Sequence, residues 1–129
     1  MASAAFPPAL RAFVAEHISS VGELELLLLL RGDPHRAWTA REAASRLHHV
    51  PDWVADRLER LVRARMVIRL AGDHVAYRFG PADAALERSV EAVAEAFRAR
   101  RASMISLIYA RPEGAARLSD AFRLRGGDP

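Results

Sequence analysis

The amino-acid sequence predicts a mainly α-helical single domain carrying one small β-hairpin. Three observations predict it. Apolar residues recur at helical spacing along most of the chain, with two Ser/Thr capping boxes marking helix starts. Between residues 67 and 79 the apolar period falls to two, on either side of Gly72-Asp73-His74. Finally, 129 residues that are 51% hydrophobic and 7% aromatic, with no cysteine, can bury a core without disulfides or a structural metal.

The elements follow in order. Pro7-Pro8 punctuates the start, and Leu10, Phe13, Val14, His17 and Ile18 then recur at helical spacing to about residue 18. Ser20-Val21-Gly22-Glu23 reads as a capping box, in which serine accepts from first-turn amides and glutamate reaches back. It opens the run Leu24-Glu25-Leu26-Leu27-Leu28-Leu29-Leu30, far shorter than the roughly 20 residues a membrane span needs. Such a run is a helix buried on most of its circumference, at the centre of the fold, ending near Arg31 at Gly32-Asp33-Pro34.

Ala37-Trp38 reads as a brief extended segment. A second capping box, Thr39-Ala40-Arg41-Glu42, opens a helix with Ala43 or Ala44 and Leu47 inward. His48-His49-Val50 breaks the pattern, and Pro51, with its fixed φ, starts the next helix, whose buried stripe is Val54, Leu58, Leu61 and Val62. Residues 67–71 and 75–79 form the hairpin, with Val75, Tyr77 and Phe79 on one face and Gly80-Pro81 ending it.

From about Asp83 to Arg111 one helical pattern runs unbroken. Leu86, Val90, Val93, Phe97, Met104, Leu107 and Ile108 keep near-heptad spacing, with Arg100 at a seam position. A helix of that length spans roughly 40 Å, more than so small a domain needs to cover its own core. Those seven apolar residues are therefore the expected dimerisation seam of a long C-terminal helix, making the chain a homodimer. Pro112 stops the helix, Leu118, Ala121, Phe122 and Arg125 suggest a short final one, and Gly126–Pro129 a frayed tail. The expected organisation is one domain, 1–129, with a core at 20–81 and C-terminal helices at 82–129.

Helix, three-residue turn, helix, then hairpin is the order of a helix-turn-helix followed by a wing. Thr39-Ala40-Arg41-Glu42-Ala43-Ala44-Ser45-Arg46-Leu47, Pro51-Asp52-Trp53-Val54-Ala55-Asp56-Arg57-Leu58-Glu59-Arg60-Leu61 and Met66-Val67-Ile68 resemble the winged helix-turn-helix regulators of bacteria. With the leading leucine helix and the trailing helices, the order resembles the MarR-type arrangement. That resemblance implies a DNA-binding transcriptional regulator whose flanking helices make a dimer. Where the resemblance places glycine before the first wing strand, this chain has Arg65, so either Arg65 takes a left-handed conformation or the turn differs.

The second helix of such a motif enters a major groove roughly 12 Å wide and offers its outward side chains to base edges. With Val54 and Leu58 facing the core, Asp52, Trp53, Asp56, Arg57 and Arg60 stay outward. Arg57 is the first choice for a base contact, because its planar fork matches guanine. Arg60 and Arg63 suit phosphates, as do Arg41 and Arg46 on the preceding helix, while Arg69 and Arg78 flank a phosphate from the wing strands. The wing tip, Ala71-Gly72-Asp73-His74, lacks the arginine common in such wings, and Asp52 and Asp56 put carboxylates on the face that approaches phosphates.

Charge sharpens this reading. All 19 basic residues are arginine against 16 acids, a formal +3 that says little by itself. Residues 39–81 hold eight arginines and five acids, so the surplus equals that of the motif. Along the C-terminal pattern, Asp83, Glu87, Glu91 and Glu95 come early and most arginines late, as the helix dipole favours and as an antiparallel helix pair across a two-fold axis would use. The arginine-only usage fits a GC-rich bacterial genome.

No Gly-rich phosphate loop, nucleophile elbow or zinc-hydrolase spacing occurs, and the five histidines are scattered or adjacent. The expectation is a cytoplasmic protein that is not an enzyme and has no cofactor, no metal and no membrane partner. Its alternative role is a winged-helix module that binds a protein of the transcription apparatus or an anti-sigma-like partner; the acidic groups beside Trp53 fit that role.

Overall fold

The computed structural model describes residues 6–110. Among these are six α-helices and one two-stranded antiparallel hairpin: α1 Pro8–His17, α2 Val21–Gly32, α3 Ala40–Leu47, α4 Pro51–Arg63, β1 Val67–Leu70, β2 Ala76–Phe79, α5 Ala84–Ala99 and α6 Arg101–Ala110. None of these helices is long and apolar enough to cross a membrane.

The leucine run forms α2, and Leu24, Leu26, Leu27 and Leu30 are completely buried. Each such leucine removed from water contributes about 1.5–3 kcal/mol, which makes α2 the axis of the core. Around it pack Val14 and Ile18, Trp38, Val54, Leu58 and Leu61 of α4, and Met66. Ser20 caps α2 by accepting from the Glu23 N–H at 3.1 Å. The expected reciprocal bond is displaced: the Glu23 carboxylate accepts from the Ser19 N–H and hydroxyl, each at 2.7 Å, one residue before the cap. The capping box of α3 is complete, with Thr39 accepting from the Glu42 N–H and Glu42 from the Thr39 N–H.

Among the described residues two that are not glycine adopt positive φ, and both end a helix of the motif. His48 (φ 60°) turns the chain between α3 and α4, and Arg65 (φ 68°) turns it into the hairpin. At Arg65 the N–H of Met66 reaches the Leu61 carbonyl at 3.1 Å and that of Arg65 reaches Val62 at 2.9 Å, the paired bonds of a Schellman end. The left-handed option for Arg65 is therefore the one adopted.

Pairing in the hairpin runs Val67 to Phe79, Ile68 to Arg78, Arg69 to Tyr77 and Leu70 to Ala76. Tyr77 and Phe79 face the core, but Val75 lies before β2 and is half exposed, so it does not continue their buried face. The extended segment at Trp38 is real: it exchanges backbone bonds of 2.8 and 2.7 Å with Tyr77 and adds a one-residue bridge to the sheet.

The C-terminal pattern departs from expectation. No single helix runs from Asp83 to the end of the described residues; the helix breaks at Arg100 (φ −139°, ψ 62°), where α6 begins anew. Neither glycine nor proline marks the break. Its cause is tertiary, since α1 packs against both α5 and α6 and the bend turns Met104, Leu107 and Ile108 into the core. Val90, Val93 and Phe97 are likewise buried and Leu86 packs against them, so the apolar seam is covered within one chain. Pro112 and the short helix expected around Leu118, Ala121, Phe122 and Arg125 lie outside the described residues.

Candidate nucleic-acid interface

α3 and α4 lie side by side, joined by the turn at His48, and the hairpin follows directly from α4. Three of the α4 side chains, Val54, Leu58 and Leu61, bury the helix against the core. Helical spacing then leaves Asp52, Asp56 and Arg63 exposed, with Arg60 at 38%. Carboxylates thus occupy the first two turns of the outward face, and guanidiniums the last two.

The structure sorts the expected contact residues into two groups. Arg57, the first choice for a base contact, is turned sideways rather than outward. Its side chain is only 22% exposed, and its guanidinium bonds to Asp56 at 2.7 Å and lies 3.6 Å from Glu23 Oε2. The Arg57 Nε–H is buried and has no acceptor among the described residues. Arg60 leans the same way, with Nη1 3.4 Å from the same oxygen. Glu23, 1% exposed at the start of α2, therefore holds two arginines of α4 from below.

Arg69 is committed as well. It makes a bidentate pair with Glu59 of α4 at 3.1 and 3.0 Å, and the Tyr77 hydroxyl donates to the same carboxylate at 2.5 Å. The bonds from Arg69 and then Tyr77 hold the Glu59 carboxyl below its ordinary value. Burial, reinforced by that acceptor, pushes the Tyr77 phenol up to about 12. Since Arg69 pairs across from Tyr77 and Arg78 from Ile68, successive ladder positions put Arg69 and Arg78 on opposite faces. They cannot flank one phosphate. Arg78 instead borders a hollow with Arg31, His35, Glu87 and Glu91.

Trp53 is half-buried. Its ring stacks on His49 at 4.5 Å, and both rings cover Gly22 so closely that a Cβ there would sit 3.0 Å from the indole and 3.1 Å from the imidazole. Packing against α2 thus accounts for much of this side chain.

The second group remains available. Arg41, Arg46 and Arg63 are exposed, and none lies within 4.0 Å of a carboxylate among the described residues. Arg36, half-buried, belongs with them, set over the Trp38 ring at 3.6 Å. Sequence spacing marks Glu23 only as a capping glutamate, not as the partner of Arg57 and Arg60, and singles out neither Glu59 nor Arg36. Glu23 could have been found from its position on the buried stripe beside Leu24 and Leu27, and Arg36 from its i, i+2 relation to Trp38 on an extended segment.

A bundle of helices with a helix-turn-helix, a hairpin packed against its second helix and an exposed arginine edge defines a winged helix-turn-helix protein. The chain has the fold of the MarR family: it is similar to the structure of a MarR family protein from Bacillus stearothermophilus at a TM-score of 0.51 and 18% identity, covering 93% of this chain and 81% of that one. It is also similar to RV1404 from Mycobacterium tuberculosis (TM-score 0.53, 23% identity, 94% of this chain and 82% of that one). A mutant of MepR from S. aureus gives a TM-score of 0.55 at 13% identity, over 93% of this chain and 87% of that one. No family model matches the sequence. No curated protein matches it either.

Proposed function

We propose that this chain is a transcriptional regulator that binds duplex DNA through α3, α4 and the hairpin. The observation that carries the reading is the exposed, carboxylate-free arginine set Arg41, Arg46 and Arg63 beside the outward face of α4, on a fold shared with a MarR family protein. Arginine–phosphate contacts supply affinity, and Asp52, Arg60 and the exposed edge of Trp53 read bases. Asp52 can accept from cytosine N4.

Binding as a homodimer follows the same reading, with the paired surface on the outer sides of α1, α5 and α6. The hollow between α1 and α5, lined by Leu10, Phe13, Ala85 and Ala92 together with Arg88 and Ser89, supports it, and light scattering at micromolar concentration tests it. The protein-binding alternative is favoured by one feature, the two exposed carboxylates Asp52 and Asp56 next to exposed Val50. Selection of a site from random duplex DNA, followed by a salt titration, separates the two. A regulator selects a site and loses affinity steeply with salt, whereas a protein-binding module retains no DNA at any salt.

A further inference from the structure

We propose that Arg36, Arg41 and Arg46, gathered around the buried indole of Trp38, form a preassembled phosphate clamp that grips the DNA backbone beside the groove entered by α4. The inference rests on the DNA-binding reading above and adds to it a site with its own geometry.

Among the described residues, some arginines are held by carboxylates and others are set over aromatic rings. Arg57, Arg60, Arg69, Arg98 and Arg101 are each held by a carboxylate. A carboxylate fixes a guanidinium in place but neutralises it. Arg36 is fixed without being neutralised: its guanidinium carbon lies 3.6 Å from the centroid of the Trp38 ring, and that of Arg46 lies 5.2 Å away. An indole face attracts the cation through its quadrupole and leaves both the net charge and the in-plane N–H donors free.

The platform beneath is rigid. Trp38 is 1% exposed, and its backbone is bonded in both directions to Tyr77 of β2. The Arg36 N–H is tied to the Asp33 carbonyl at 3.0 Å, which sets the turn that brings its side chain over the ring. Arg41 and Arg46 complete the rim of one open hollow with Arg36, and Ser45 and His48 add further polar groups. The acid on that rim, Glu42, is occupied by the Thr39 N–H at 3.0 Å as part of the α3 capping box. With three guanidiniums against one carboxylate the hollow is cationic, and the forks of Arg36 and Arg46 are set over the indole before any ligand arrives, while Arg41 stands exposed on the rim. Planar forks match phosphate oxygens two at a time. The ordering cost that a flexible surface arginine meets on binding is already met here.

The test uses the full chain, a random-sequence duplex and, separately, inorganic tripolyphosphate. Arg36→Gln, Arg41→Gln and Arg46→Gln are each expected to lower the slope of log K against log salt by roughly 0.9 for every phosphate left without its arginine. Each should weaken selected and scrambled duplexes equally, because the clamp reads no bases. Arg36→Lys keeps the charge but loses the stacked fork, so it should lower affinity while leaving the slope near wild type. Arg98→Gln, on α5 and paired with Glu95, is the control that leaves both unchanged. Wild-type slopes in all three glutamine variants, with DNA still bound and thermal melts normal, overturn the clamp and leave the DNA-binding reading intact. Failure of wild type to bind duplex DNA overturns that reading; the clamp then survives only if tripolyphosphate raises the melting temperature of wild type and not of Arg36→Gln. No response to either ligand overturns both.

Discussion

Removing Glu23 should reveal how firmly the core of this fold holds its second motif helix. The carboxylate is 1% exposed, accepts two bonds of 2.7 Å from Ser19 and faces Arg57 and Arg60 at 3.6 and 3.4 Å. In Glu23→Gln an amide oxygen can still accept from Ser19, but the charge opposite Arg57 is gone. Breaking a fully buried pair costs about 3–5 kcal/mol. Here Arg57 and Arg60 are 22% and 38% exposed, so water screens much of the loss and about 1–2 kcal/mol is expected. Glu23→Ala also removes the two bonds to Ser19 and leaves a gap, bringing the expected total to about 3–4 kcal/mol. Urea unfolding reads both values, and at about 4 °C per kcal/mol the alanine variant should melt roughly 12–16 °C lower. A double-mutant cycle with Arg57→Gln should give a coupling of about 1 kcal/mol or more. The reasoning is refuted if both variants stay within about 0.5 kcal/mol of wild type, the range of a surface substitution, or if the coupling is zero.

Three further outcomes follow from the same geometry. Because the Tyr77 phenol is pushed up to about 12, its neutral form stabilises the fold below pH 10, and that stability is lost as pH rises towards 12. An absorbance titration at 295 nm should show one delayed tyrosinate that Tyr77→Phe abolishes; a single transition near pH 10 for wild type would contradict it. Glu59 is shifted the other way, so its ion pair stabilises above about pH 4.5 and loses effect as pH falls through the lowered value. The stability gap between wild type and Glu59→Gln should accordingly narrow in acid, and a gap that stays constant from pH 6 to pH 2 would count against the bidentate pair. At φ 68° Arg65 carries left-handed strain of about 1–2 kcal/mol, partly offset in Arg65→Gly by a looser unfolded chain, so glycine should stabilise by up to about 1 kcal/mol in urea melts. Destabilisation by glycine would show that the strain is absent.

Most of the fold is legible in the sequence because its signals are local. Capping by Thr39, the first-turn proline Pro51, the period change at Val67 and the glycine-like position of Arg65 each act within a few residues. The break at Arg100 is not legible, since the seam Phe97–Met104 keeps its spacing across it and only packing against α1 shows where the helix must bend. The candidate interface divides in the same way. Which α4 residues avoid the core follows from helical period, so Asp52, Arg60 and Arg63 are readable. That Arg57 turns towards Glu23, and Arg69 towards Glu59, depends on residues 34 and 10 positions away that no spacing rule connects to a contact. Partner choice among arginines and carboxylates is decided in three dimensions.

The hairpin is closed at its base: Gly80 and Ala82 donate to the Met66 and Arg65 carbonyls at 3.0 and 2.9 Å, beside the end of α4. Residues 71–75 at the far end are exposed throughout. Closure and reach are thus assigned to different segments. Lengthening, shortening or recharging the tip leaves the clasp at the base untouched, so evolution or an engineer can alter how far this arm extends, and what it meets there, without renegotiating the core.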